Sequence, residues 1–128
     1  MIETARLFIL LGALNAFLAV LLGAFGAHAL KARLTADMMT VFHTGNQYHF
    51  YHALGLLLVG LIALQLPASA QLRGSGWLML TGIVLFSGSL YILAISGVRW
   101  LGAITPLGGL AFLAAWLLLA YAVWKANL

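Results

Sequence analysis

The sequence predicts an all-α integral membrane protein, a four-transmembrane-helix bundle with short loops. Three observations predict it. Hydrophobic residues make up 65% of the chain and charged residues only 6%. Mean hydropathy is +1.12, more apolar surface than 128 residues can bury in one soluble core. The apolar residues also fall into four runs of about twenty. A helix rising ~1.5 Å per residue needs about that many to cross a ~30 Å hydrocarbon core. No strand-like alternation is visible, and lipid offers no water to the backbone, so continuous helices remain. Residues 1–128 read as a single membrane domain with no room for a soluble one.

The first run, about 5–29, ends in Ala27-His28-Ala29. That tripeptide fits a leader-cleavage pattern, but the apolar stretch is longer than a usual signal core and Glu3 leaves its start nearly neutral. We read it as a span. A polar interfacial segment, about 30–47, follows and holds Lys31, Arg33 and Asp37. The second helix is expected at about 48–66, then a loop at 67–75 with Arg73, and the third helix at about 76–96. A short loop, 97–102, holds Arg99. Thr105 then reads as an N-cap and Pro106 as a first-turn proline, opening a fourth helix at about 105–124. Trp77, Trp100, Tyr121 and Trp124 fall near helix ends, where amphipathic rings settle among headgroups.

With four spans the termini and the second loop share a side. Arg6, Arg73 and Lys125 lie there, against Lys31, Arg33 and Arg99 on the other, so no positive-inside bias sets the orientation. The net charge of +4 fits contact with membrane lipids. Six scattered basic residues form no stripe, which argues against a nucleic-acid partner. Cysteine is absent, excluding disulfides and thiolate chemistry. The only carboxylates are Glu3 and Asp37, both outside the spans. This argues against a carboxylate-driven transporter or an intramembrane aspartyl protease, and no catalytic constellation marks an enzyme.

Gly12, Asn15, Ala19, Gly23 and Gly26 recur at spacings of three and four in the first helix, as do Gly108, Ala111 and Ala115 in the fourth, with Ala122 seven residues on. Small faces let helices approach closely, so these are read as packing residues, with Asn15 able to hydrogen-bond across the interface. Four short helices enclose little volume, which leaves room for a homo-oligomer.

The polar residues gather between the first two helices. GAFGAHAL carries His28, and FHTGNQYHFYH carries His43, His49 and His52 with Asn46, Tyr48 and Tyr51. On a helix Thr44, Tyr48, His52 and Gly55 share a stripe, His49 lies ~60° aside, and His43 points opposite to His52. His28 and His52 are expected to meet. Three readings are open: a hydrogen-bond knot, a binding or conduction site for a lipid headgroup or small solute, and metal or haem ligation by His28 with His49 or His52. Ser87, Ser89 and Tyr91 in LFSGSLY show no nucleophile–base arrangement and are read as packing residues along a polar seam.

GAFGAHAL, the segment 48–52 before an apolar helix, LFSGSLY, and Ile104-Thr105-Pro106-Leu107-Gly108-Gly109 occur in this order. Over nearly its whole length the chain resembles the family of small four-helix inner-membrane proteins of unknown function typified by bacterial YgdD and YwdK. The positions carried by that resemblance are Gly23, Gly26, His28, Tyr48, His52, Ser87, Gly88, Tyr91, Thr105, Pro106 and Gly109. His49 stands where the family pattern has Gln, which weakens a metal site needing both His49 and His52, and His43 lies outside the pattern. The resemblance implies four spans in the cell inner membrane and supplies no activity and no cofactor. The expectation is a multi-pass, non-enzymatic protein that binds or passes a small ligand or lipid through a pocket of His28, Tyr48, His52, Ser87 and Tyr91. The alternatives are a metal- or haem-binding redox protein using His28 and His52, and a structural subunit of a larger complex, for which the small-residue faces would be the contact surface.

Overall fold

A computed structural model describes residues 2–66 and 69–127. Among them there is no strand, and four helices are long and apolar enough to cross a membrane: α1 (Glu3–Leu30), α2 (Ala36–Gln65), α3 (Ala70–Ser96) and α4 (Arg99–Lys125). The chain is an all-helical membrane protein.

The helix starts differ from the hydropathy boundaries. The second helix begins at Ala36 rather than near 48, so most of the expected interfacial segment is helix and only 31–35 is not. Thr35 caps it, its hydroxyl accepting from Met38 N at 3.2 Å. Thr40 and Thr44 then donate their hydroxyls to the carbonyls of Ala36 and Thr40, at 3.1 and 3.0 Å. Polar side chains satisfied on their own helix do not end it. The third helix likewise starts at Ala70 rather than 76, capped by Ser69 Oγ, which accepts from Leu72 N at 3.1 Å. Positions 67 and 68 of the expected second loop lie outside the described residues.

The fourth helix opens one turn early, in a 3₁₀ turn at Arg99–Ala103. Thr105 is not its cap: no side chain caps this end, and the Ile104 carbonyl takes the N–H of Leu107 at 3.0 Å. The Thr105 hydroxyl instead lies 2.6 Å from Ser89 Oγ and ties α4 to α3. Gly97 ends α3 at φ +73°, the left-handed conformation that lets its N–H return to Leu93 O at 2.8 Å.

Helices α2 and α3 form the middle of the bundle. In their most apolar stretches 44% and 39% of residues are buried, against 17% in α1 and 22% in α4. The core joins Ala5 and Phe8 of α1, Leu56 and Val59 of α2, Leu72 and Met79 of α3, and Phe112 and Ala115 of α4. Backbones nearly touch where α1 crosses α2. A Cβ on Gly12 would stand 2.7 Å from Leu57 N and 2.9 Å from Ala53 O. Gly108 of α4 lies as tightly on the Phe86 backbone of α3. Lipid provides no hydrophobic drive between helices, so this intimacy is what joins them. Ala19, Ala111, Ala115 and Ala122 are buried along the same two seams.

Two π-turns interrupt the helices, Leu22–Gly26 in α1 and Ile83–Gly88 in α3. Each inserts an extra residue into the helical ladder and shifts the face that follows.

Candidate functional site

The middle of α2 carries polar residues on two faces, and each face builds a different site. His49 turns toward α1 and α3. Asn15 directs its Nδ2 at the Leu11 carbonyl, 2.8 Å away, which leaves Oδ1 facing His49 Nε2 at 2.9 Å. That oxygen only accepts, so the imidazole donates from Nε2 and its Nδ1 must accept. The donor there is the Tyr91 hydroxyl, at 2.8 Å. Asn46 Nδ2 completes the chain, donating to Tyr91 Oη at 3.2 Å and to the Ala19 carbonyl at 2.7 Å. One continuous set of hydrogen bonds therefore knots α1, α2 and α3 together within the bundle. Gly23 makes room for it: a Cβ there would sit 2.5 Å from Asn46 Oδ1.

His52, three residues on, faces α4. The Trp116 indole can only donate, and it reaches His52 Nε2 at 3.0 Å. His52 Nδ1 therefore carries the proton and gives it to the Tyr48 carbonyl at 2.7 Å. The imidazole lies flat on Phe112, centroids 3.5 Å apart and planes 8° from parallel. Tyr48 stands beside Phe86, at 4.6 Å between centroids. These rings wall a groove of about 600 Å³ between α2 and α4, lined also by Pro106, Gly109, Leu110 and Leu113. Its polar atoms are few, and both nitrogens of His52 are engaged within the protein.

The expected pocket of His28, Tyr48, His52, Ser87 and Tyr91 is thus divided. Tyr48 and His52 line the α2–α4 groove. Tyr91 belongs to the knot around His49 on the other face of α2. Ser87 is buried inside the second π-turn, its hydroxyl without a partner among the described residues. His28 is exposed at the end of α1 and shares a separate cavity with Lys31, Met39 and His43. His43 and His52 are nine residues apart on one helix, ~13 Å along its axis. His28 and His52 therefore do not form a ligand pair, and no group of three potential metal ligands occurs among the described residues.

Several of the most connected residues carry little signal in the sequence: His49 lies off the Tyr48–His52 stripe, Asn46 is one polar residue among several, and Trp116 sits in an apolar run. The signal for the knot was the pairing of Asn15 with a polar α2. The register of Tyr91 was hidden by the π-turn that precedes it.

Comparison with known proteins places the chain in a family. The chain is 53% identical to the UPF0382 membrane protein YwdK of Bacillus subtilis over 120 residues, 94% of this chain and 98% of that protein. It is 50% identical to the UPF0382 membrane protein SERP0230 of Staphylococcus epidermidis, over 94% of this chain and 97% of the relative. With the UPF0382 membrane protein SSP2132 of Staphylococcus saprophyticus it shares 48% identity over the same 94%. No solved structure matches it. A family model described as "Protein of unknown function (DUF423)" matches residues 22–109, which take in both π-turns, Asn46, His49 and Tyr91 of the knot, and Tyr48, His52 and Phe86 of the groove, and the chain belongs to that family.

Proposed function

We propose that this protein binds a small, lipid-soluble, ring-bearing molecule in the groove between α2 and α4, as a multi-pass protein of the cell inner membrane. The observation that carries this reading is the fixed aromatic wall. Trp116, His52 and the Tyr48 carbonyl are joined by consecutive hydrogen bonds of 3.0 and 2.7 Å, so the rings are held in place before any ligand arrives. Preorganised walls reduce the ordering cost of binding. A concave, mostly apolar site of several hundred cubic ångströms with one or two polar groups is the usual form of a small-molecule pocket. Here the Tyr48 hydroxyl supplies the polar contact, the faces of Phe86, Phe112 and Trp116 supply stacking area, and Gly109 leaves the floor open. His52, the imidazole of the groove, has both nitrogens engaged by Trp116 and the Tyr48 carbonyl, which favours binding over catalysis.

Two other readings lose support. A redox role through His28 and His52 lacks a shared site. A structural subunit using the small-residue faces has little surface left for a partner, because Gly12, Ala19, Gly108, Ala111, Ala115 and Ala122 are buried within this chain and Asn15, Gly23 and Gly26 are half-buried.

The test is native mass spectrometry of protein taken from its own membranes with little delipidation. A discrete added mass is expected on the wild type and not on Gly109→Leu. That substitution adds bulk to a lining position of the groove where a Cβ meets only Phe86 Cδ2, at 3.9 Å. A wild type with no added mass, or one equally loaded in the variant, overturns the proposal.

A further inference from the structure

At the opposite edge of α2, three basic groups from two helices converge. His28 near the end of α1, Lys31 in the turn that follows, and His43 of α2 line a cavity of about 470 Å³ with Ala27 and Met39. We infer that His28, Lys31 and His43 form a binding site for the phosphate of a net-anionic ligand at the membrane border.

The location fits that chemistry. The apolar run of α1 ends at Leu30, so Lys31 marks the edge of the hydrocarbon and the two imidazoles sit one turn inside it. Phosphates of the lipid headgroups lie at this level. All three side chains donate hydrogen bonds, the ammonium three and each imidazole at least one in either protonation state. No carboxylate lines the cavity. Asp37, the one acid at this end of the molecule, is six residues before His43 and ~120° away around the helix. The carbonyl of Leu30 does not oppose an anion, because it already accepts the N–H groups of Arg33 and Leu34 at 2.9 and 3.0 Å. A cation is disfavoured: two imidazoles are too few for a metal, and Lys31 repels it. Ala27 and Met39 add an apolar surface on which the carbon part of a phosphodiester can rest.

This site is separate from the aromatic groove and stands or falls independently of it. Its test places the protein in bilayers of equal phosphatidylglycerol and phosphatidylcholine and counts retained lipid by native mass spectrometry. In parallel, inorganic phosphate is titrated in detergent and followed by phosphorus NMR. One phosphatidylglycerol should be retained over phosphatidylcholine by about fivefold, the preference that one interfacial cation confers. Lys31→Gln should bring that ratio near one and the double variant His28→Asn, His43→Asn should lower it, while Lys125→Gln at the other end should keep it. All three positions are exposed, and unchanged helical circular dichroism would show that the variants fold. Displacement of the lipid by inorganic phosphate would support the same site with a free anion as its occupant. Equal retention of the two lipids by the wild type, or a preference unchanged in both variants, overturns the inference.

Discussion

The indole N–H of Trp116 points at His52 Nε2 from 3.0 Å, across 64 positions of sequence. A donor that cannot accept fixes the imidazole as the Nδ1–H tautomer, and that proton goes to the Tyr48 carbonyl. One bond between α2 and α4 therefore sets both the orientation of the ring and the wall of the groove. Nitrogen NMR should find His52 protonated at Nδ1 and bare at Nε2. Trp116→Phe should cost about 0.6–1.7 kcal/mol of stability, the range for interhelical hydrogen bonds in a bilayer. A protonated Nε2 in the wild type would contradict this assignment.

His49 makes a contrasting case. Its two nitrogens accept from Tyr91 and donate to Asn15, and a glutamine amide offers the same pair of functions. His49→Gln should stay within about 0.5 kcal/mol of the wild type, whereas His49→Leu, which strands both partners, should cost about 1–3 kcal/mol. Reversible unfolding in mixed micelles or bicelles checks the difference. Equal losses in the two variants would mean that the knot does not stabilise the bundle.

Much of the fold was legible because lipid imposes a length and a polarity that few other environments impose. Four runs of about twenty apolar residues fixed four helices. The helix starts were not legible, because hydropathy reports contact with lipid rather than helicity. Thr40 and Thr44 look like a loop but satisfy themselves on the α2 backbone. The site was only partly legible. A helical wheel correctly set His49 aside from Tyr48 and His52, but gave no way to see that its side faces Asn15 and Tyr91. The extra residues in the two π-turns shift the faces of α1 and α3, so uniform periodicity cannot say which α3 side chains meet α2. The sequence puts the segments of His28 and His52 at the same end of adjacent helices, which suggests that the two meet. The ~13 Å separating His43 from His52 along α2 shows why position along the axis matters as much as the face.

Ser87 and Ser75 should respond oppositely to alanine. The Ser75 hydroxyl donates to the Ala115 carbonyl at 2.7 Å and bridges α3 to α4, so Ser75→Ala should lose about 1 kcal/mol. The Ser87 hydroxyl is buried without a partner among the described residues, so Ser87→Ala should be neutral or stabilising by up to about 1 kcal/mol. The same unfolding assay reads both. A large loss in Ser87→Ala would point to a partner that the hydroxyl acquires in the membrane.

The α1–α2 seam depends on absent side chains. Gly12→Val would drive a methyl group into the Leu57 N–H and the Ala53 carbonyl, backbone atoms that cannot turn aside. The expected cost is about 1–3 kcal/mol. Gly102→Ala serves as the control, since a Cβ there meets only Leu93 Cδ2, at 4.0 Å. Comparable losses at the two positions would show that backbone proximity is not what joins the helices.

The most direct test of the central claim is an experimental map of the protein held in its native membrane lipids, inspected at the groove between α2 and α4. The account predicts ordered non-protein density against the faces of Phe86, Phe112 and Trp116, within hydrogen-bond reach of the Tyr48 hydroxyl and absent from Gly109→Leu. A groove closed by its own side chains, or filled only by acyl chains like those around the rest of the bundle, would contradict it.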